Sequence, residues 1–190
     1  MFLLSLPNEE RIAEFLRARE SDHFSYPEVG ATRNAAPPIG YNVDHNGQLL
    51  GSGEEVFERA KQAIRQWKMF DFPWVRLCYP DTPIEVGCTL AIVIEHFGFY
   101  SLNGTRIVYT IDEAMRFGFA YGTLSEHGEI GEERFSVEHL SSGEVWYDLY
   151  AFSRPGSLLA RIGYPLARSL QKRFAADSKA AMLEAVAGLR

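Results

Sequence analysis

The chain has 190 residues, 46% of them hydrophobic, which is the size and apolar content of one globular domain able to bury a core. Its net charge of −6 and lack of a basic stripe exclude a nucleic-acid binder, which must displace counterions from phosphates. Two cysteines are too few for a disulfide framework or a zinc site, and no apolar run approaches the length of a membrane span.

Met1 to Pro7 has no basic leader and too short an apolar run for a signal peptide, so a reduced, cytoplasmic setting is expected. Residues 8–19 put Ile12, Phe15 and Leu16 at helical spacing behind Glu9 and Glu10, acids that favour a helix start. Residues 21–38, with Pro27, Gly30, Pro37 and Pro38, read as a long loop. Phe24 and Tyr26 within it predict that it lies ordered over the body of the fold. Residues 40–51 read as a strand pair or one bent strand, with Asn46-Gly47 as the turn signal. Ser52-Gly53-Glu54-Glu55 has the form of a capping box. The helix after it gathers Val56, Phe57, Ala60, Ile64 and Trp67 on one face and ends near Met69.

From Val75 to Phe152 the apolar period becomes two. Strands are expected at 75–79 and 89–97, the second with Leu90, Ile92 and Ile94 on one face and Ala91, Val93 and Phe97 on the other. Asn103-Gly104 predicts a hairpin turn into 106–112. Strands at 117–124, 133–139 and 145–152 follow, joined by turns holding Gly128, Gly131 and Gly143. Arg154-Pro155-Gly156 ends the run, and Ser157 is placed to cap a last helix carrying Ile162, Leu166, Leu170, Phe174, Met182 and Val186. Gly163 and Pro165 mark a kink near its start, and Arg161, Arg168, Lys172 and Arg173 read as its solvated face. The expected fold is α+β: a curved antiparallel sheet of about six to seven strands wrapped on a long C-terminal helix, one domain over 1–190. Such a helix-grip arrangement leaves space between sheet and helix for a ligand.

The most distinctive stretch is 117–135. Gly118, Ala120 and Gly122 form a strip with almost no side chain, against which a helix, a backbone or a ligand could approach, helix packing being the commoner cause. The turn after it gathers His127, Glu129, Glu132, Glu133 and Arg134. No metal spacing is present, and a solvated hairpin tip with a Glu–Arg pair is the simpler reading than a metal or acid–base site. Arg134, beside Asp148 or Glu132, would anchor a carboxylate if its face points inward. In the early loop Tyr26 and Arg33 could belong to a lid, or the loop could simply pack, with Tyr26 as a plug and Gly30 for its backbone freedom, and Tyr41, Asn42, Asp44 and His45 alternate on the next strand. No phosphate loop, dinucleotide fingerprint or nucleophile elbow is present, and no cofactor is expected.

Tyr26-Pro-Glu-Val-Gly-Ala-Thr32, Gly40-Tyr41, Phe117-Gly-Phe-Ala-Tyr-Gly-Thr-Leu124, His127, Gly131-Glu-Glu-Arg-Phe135 and Phe152-Ser-Arg-Pro155 together resemble a bacterial and plant family known as a domain of unknown function, number nineteen-ninety. The resemblance runs over almost the whole chain. It implies a START-like helix-grip fold, in a superfamily whose members carry lipids, hormones or polyketides or act on them. It marks motif positions and implies no roles for them.

The reading expected from these observations is a binding module for a small apolar or amphipathic molecule, with Tyr26, Arg33, Tyr41, Tyr121, Thr123, His127, Glu133 and Arg134 as ligand-contacting candidates. The alternative is an enzyme of cyclase, hydratase or hydrolase type, with His127 or Glu133 as acid or base and Tyr121 polarising a carbonyl. A third reading is a scaffold that binds protein through the 21–38 loop or the C-terminal helix.

Overall fold

The computed structural model describes residues 1–33, 37–125, 127–156 and 164–188. Ser157, Arg161, Ile162 and Gly163, invoked above for the cap, the basic face and the kink, lie outside them. In chain order the elements are β1 (Phe2–Leu3), α1 (Glu9–Arg17), β2 (Asn42–Ser52), α2 (Glu54–Arg65), β3 (Val75–Cys78), β4 (Thr89–His96), β5 (Phe99–Glu113), β6 (Arg116–Thr123), β7 (Glu129–His139), β8 (Glu144–Pro155) and α3 (Tyr164–Ala187). Short 3-10 turns sit at Ala31–Arg33 and Lys68–Phe70.

Seven strands make one antiparallel sheet in the order β2-β8-β7-β6-β5-β4-β3, and β1 pairs with β5. Register shifts at Leu49/Gly51 and Ile107/Tyr109 mark bulges, which bend strands. The sheet curves, and its concave face meets α2 and α3 in the helix-grip arrangement. Period-two patterning decides which side chains go there. Leu90, Ile92, Phe117, Phe119, Phe135, Val137, Tyr147 and Leu149 join Phe57 and Ile64 of α2 and Met182 and Val186 of α3 in the main core. Each such side chain contributes about 1.5–3 kcal/mol on burial. The opposite parity faces out and is covered too. Ile12 and Phe15 of α1 close over Ala91, Val93 and Leu102, and residues 25–33 and Tyr41 lie over β6–β8.

Four local expectations are corrected. Asn103-Gly104 lies inside β5, and the β4–β5 turn is Phe97-Gly98, both at positive φ. Buried Asn103 donates to the Ile92 carbonyl and the Ser101 hydroxyl, and Gly104 lies under Phe15 and Arg19, so both residues serve packing. Asn46-Gly47 lies inside a continuous β2, where Gly47 admits the Trp146 ring. Ser52 belongs to β2, and α2 starts at Gly53, whose φ of 89° suits glycine, with no side-chain cap. The strip of small residues faces no helix, as the next section shows.

Candidate functional site

Adjacent residues of β7 build two polar clusters, one on each face of the sheet. The outer one centres on Glu132, which is 2% exposed. Its Oε2 accepts from the Tyr26 hydroxyl at 2.7 Å and the Gly30 amide at 2.6 Å. Its Oε1 accepts from the Thr32 amide at 2.9 Å and from the Thr32 hydroxyl. The hydroxyls of Thr32 and Tyr109 lie 2.7 Å apart, and Arg33 stacks over the Tyr109 ring. Arg134 donates to the Thr32 carbonyl and to Asp148, each at 2.6 Å, and His45 also contacts Asp148. Tyr41 donates to Glu28 at 2.6 Å and packs edge-on against Phe152.

This network straps the early loop to the sheet. The strip of small residues is what admits it: a Cβ at Gly122 would fall 2.8 Å from the Tyr26 ring. Burial, then the nearby Glu132 carboxylate, drive the Tyr26 phenol far above its ordinary pKa, and burial with the Glu28 hydrogen bond pushes Tyr41 up to about 12. Tyr26, Arg33, Tyr41 and Arg134 thus sit together on the outer face. Arg134 is already paired, so it is not an inward-facing anchor for a carboxylate.

The inner cluster centres on Glu133. Cross-strand pairing sets Tyr121, Glu133, Ala151 and Asp44 in one row across β6, β7, β8 and β2, on the face toward α3. Tyr121 donates to Glu133 Oε2 at 2.7 Å, and no further hydrogen bond to the Glu133 carboxyl is seen among the described residues. Desolvation raises the Glu133 carboxyl to about 7, the Tyr121 hydrogen bond opposing and the Asp44 charge adding to the rise. Glu133 is therefore deep among protein atoms. Yet Glu133 and its neighbour Ala151 keep accessible surface, while Phe135 and Leu149 in the next row are buried. Ala151 sets only a methyl between Glu133 and Asp44 in this row.

At the β2 end of the row Arg168 of α3 grips Asp44 through both Nη atoms and Gln171 at 2.9 Å. Gln171 donates to Ser153 at 3.0 Å, and Tyr147 meets Ser178 at 2.8 Å. Aromatic rings of the core pack beside Tyr121: Phe135 lies 5.3 Å from the Tyr121 ring and 5.5 Å from Phe70, itself 5.7 Å from Phe174.

Thr123 and His127 lie at the β6–β7 end. Thr123 Oγ1 accepts from the Gly131 amide at 3.0 Å and sits 2.6 Å from the Ser25 hydroxyl, tying the strap's start to β7. His127 Nδ1 accepts from the Glu129 amide at 3.1 Å, and desolvation lowers its pKa to about 4. The turn is thus no solvated tip. Its three consecutive charged residues divide between faces, and Arg134 pairs with Asp148 instead of a turn glutamate. Glu132 as hub, Ala151 as the small neighbour of Glu133 and Arg168–Asp44 as a link to α3 were not singled out from sequence. Their signals were parity with Gly118 and Gly122, a lone small residue in the run Val145-Tyr147-Leu149, and an acid on an apolar-facing strand. Two open surface depressions, about 540 Å³ beside β3 and about 610 Å³ beside α1, lie away from this row. No group of three or more His, Cys, Asp or Glu able to hold a metal occurs among the described residues.

A family model described as a domain of unknown function (DUF1990) matches residues 25–181. A UPF0548 protein of Dictyostelium discoideum is 35% identical over 207 aligned positions, covering 98% of this chain and 96% of that one. A UPF0548 protein of Deinococcus radiodurans is 36% identical, covering 99% and 100%. Among solved structures, hypothetical protein jhp0584 from Helicobacter pylori superposes with a TM-score of 0.53 at 14% identity, covering 86% of this chain and 94% of that one. Ara h 8.0201 does so at 0.50 and 12% identity, covering 78% and 99%. At such identities these likenesses show the fold alone.

Proposed function

This chain belongs to the DUF1990 family and has a START-like helix-grip fold, and on that premise we propose that it binds a small apolar or amphipathic molecule between the concave face of the sheet and α3. The observation that carries this reading is Glu133: a carboxyl on the inner face that takes one hydrogen bond, from Tyr121, beside Ala151 and close to aromatic rings. Pockets of this kind hold a ligand's body on apolar walls and orient it with few polar groups. Tyr121 and Glu133 would orient the polar end. Tyr26, Arg33, Tyr41 and Arg134 would act at a distance, by fixing the sheet that shapes the site. Unpaired Cys78 and Cys88 fit a reduced, cytoplasmic setting.

A second reading rests on the same carboxyl. A group titrating near 7 beside a phenol can exchange a proton at neutral pH, which suits an enzyme of cyclase, hydratase or hydrolase type. In that reading Glu133 carries the proton. His127 is held neutral by desolvation, and its Nδ1 is occupied. The strap, fastened to Glu132, is part of the folded body and gives no support to the scaffold reading.

Titration with the neutral apolar fluorophore N-phenyl-1-naphthylamine tests the proposal. Saturable enhancement is expected in the wild type and its loss in Ala151→Leu, which fills the space beside Glu133. Absent enhancement, or enhancement indifferent to Ala151→Leu, would overturn it.

A further inference from the structure

The polar groups of the inner face also discriminate between classes of amphipathic molecule. We propose that the ligand is an organic ammonium, its charged nitrogen on Glu133 and its apolar body among the rings of the concave face; this rests on the binding site proposed above.

Three observations lead there. The first is which partner the site can take. Tyr121 donates to Glu133 Oε2, the one hydrogen bond this carboxyl makes among the described residues, so Oε1 can take a second donor, which an ammonium with up to three N–H groups supplies.

The second is the balance of charge. The carboxyls of Glu133, Glu129 and Asp44 serve this part of the interior, and the cation that reaches it among the described residues is Arg168. Arg168 is committed to Asp44 and Gln171. A ligand carboxylate would therefore meet like charge at Glu133 with no guanidinium there to receive it. A ligand ammonium supplies the counter-charge that a desolvated carboxylate lacks.

The third is the aromatic set packed around Tyr121. The rings of Tyr121, Phe135, Phe70 and Phe174 form a contiguous set, with neighbouring centroids 5.3 to 6.4 Å apart. Aromatic faces attract cations and cover alkyl or aryl bodies equally well, so they fit both ends of such a molecule.

The test is calorimetry with one matched set: octylamine, octan-1-ol and octanoate. At pH 8 octylamine is expected to bind at least tenfold more tightly than octan-1-ol, with octanoate weakest. Glu133→Gln should bring octylamine down to the affinity of the alcohol. In the wild type the amine's advantage should shrink, by up to tenfold per pH unit, below the Glu133 midpoint of about 7. The titratable groups that act on Glu133 are Tyr121 on β6, Tyr147 on β8 and Asp44 on β2, with Asp44 held by Arg168 of α3. Burial keeps both phenols protonated throughout, so the profile reads Glu133, and it stands even if the variant folds poorly. Octan-1-ol or octanoate binding as tightly as octylamine, or a preference that survives Glu133→Gln, would overturn the ammonium while leaving the interior site in place. Failure of all three to bind would overturn both.

Discussion

Glu132 and Glu133 are consecutive in β7 and face opposite sides of one sheet, the first closing four hydrogen bonds to the strap and the second taking one inside the grip. The same residue type fastens the strap on one face and lies beside Tyr121 on the other. What separates them is the parity of the strand and the partner each face presents.

Removing the outer carboxylate should free the strap. Hydrogen bonds to a buried charge contribute about 1.5–3 kcal/mol each and do not simply add, so Glu132→Ala is expected to lose about 3 kcal/mol or more in urea unfolding. The Gly30 and Thr32 amides should exchange faster. Unchanged stability and protection would show that the strap is held by other contacts.

Gly122→Ala should act on the same contact from below. A methyl there collides with the Tyr26 ring, and overpacking of this kind costs about 1–3 kcal/mol. Truncating Tyr26 to Ala should remove most of the added cost, so the two changes together should cost less than their sum. Strict additivity would mean that Gly122 is small for another reason.

The two embedded titratable groups should tilt stability in opposite directions over one pH window. Glu133 rises from 4.5 to about 7 on folding, so between those values the native state holds more protons than the unfolded chain. Its contribution is greatest below pH 4.5 and is lost as pH rises through 7, a swing of up to about 3 kcal/mol. His127 falls from 6.5 to about 4, so its contribution is complete above pH 6.5 and is lost as pH falls toward 4, by a similar amount. The wild type is expected to be nearly flat between pH 4.5 and 6.5. Glu133→Gln should leave stability rising with pH there, and His127→Asn should leave it falling. Identical profiles for all three proteins would contradict both assignments.

Much of the fold was legible because its determinants are local. Leu90 and Ile92 against Ala91 and Val93 sort to opposite faces by alternation alone, as the structure has them. The long terminal helix follows from its apolar spacing, and the strap from Phe24 and Tyr26 in an otherwise polar loop. The misplaced turns show the limit. Asn103-Gly104 and Asn46-Gly47 have turn chemistry, but buried Asn103 spends its amide on Ser101 and Ile92, Gly104 lies under Phe15 and Arg19, and Asn46-Gly47 continues the pairing of β2 with β8. The β4–β5 turn fell at Phe97-Gly98, where a phenylalanine accepts a left-handed φ of 50°. The candidate residues were visible as a set, but not their division between faces. Register across four strands sets Glu133 beside Tyr121 and Ala151, and no single strand records it.

The central claim is that the space beside Glu133 and Ala151 holds a molecule. Native mass spectrometry of the wild type and Ala151→Leu, each purified from the same cells and compared with its denatured, solvent-extracted mass, tests it most directly. A small molecule of stoichiometric abundance in the wild type, absent from the variant, is the expected result. A molecule retained equally by both would place any ligand elsewhere, and masses equal to the bare chain in both, with no uptake of added octylamine or octan-1-ol, would contradict the claim.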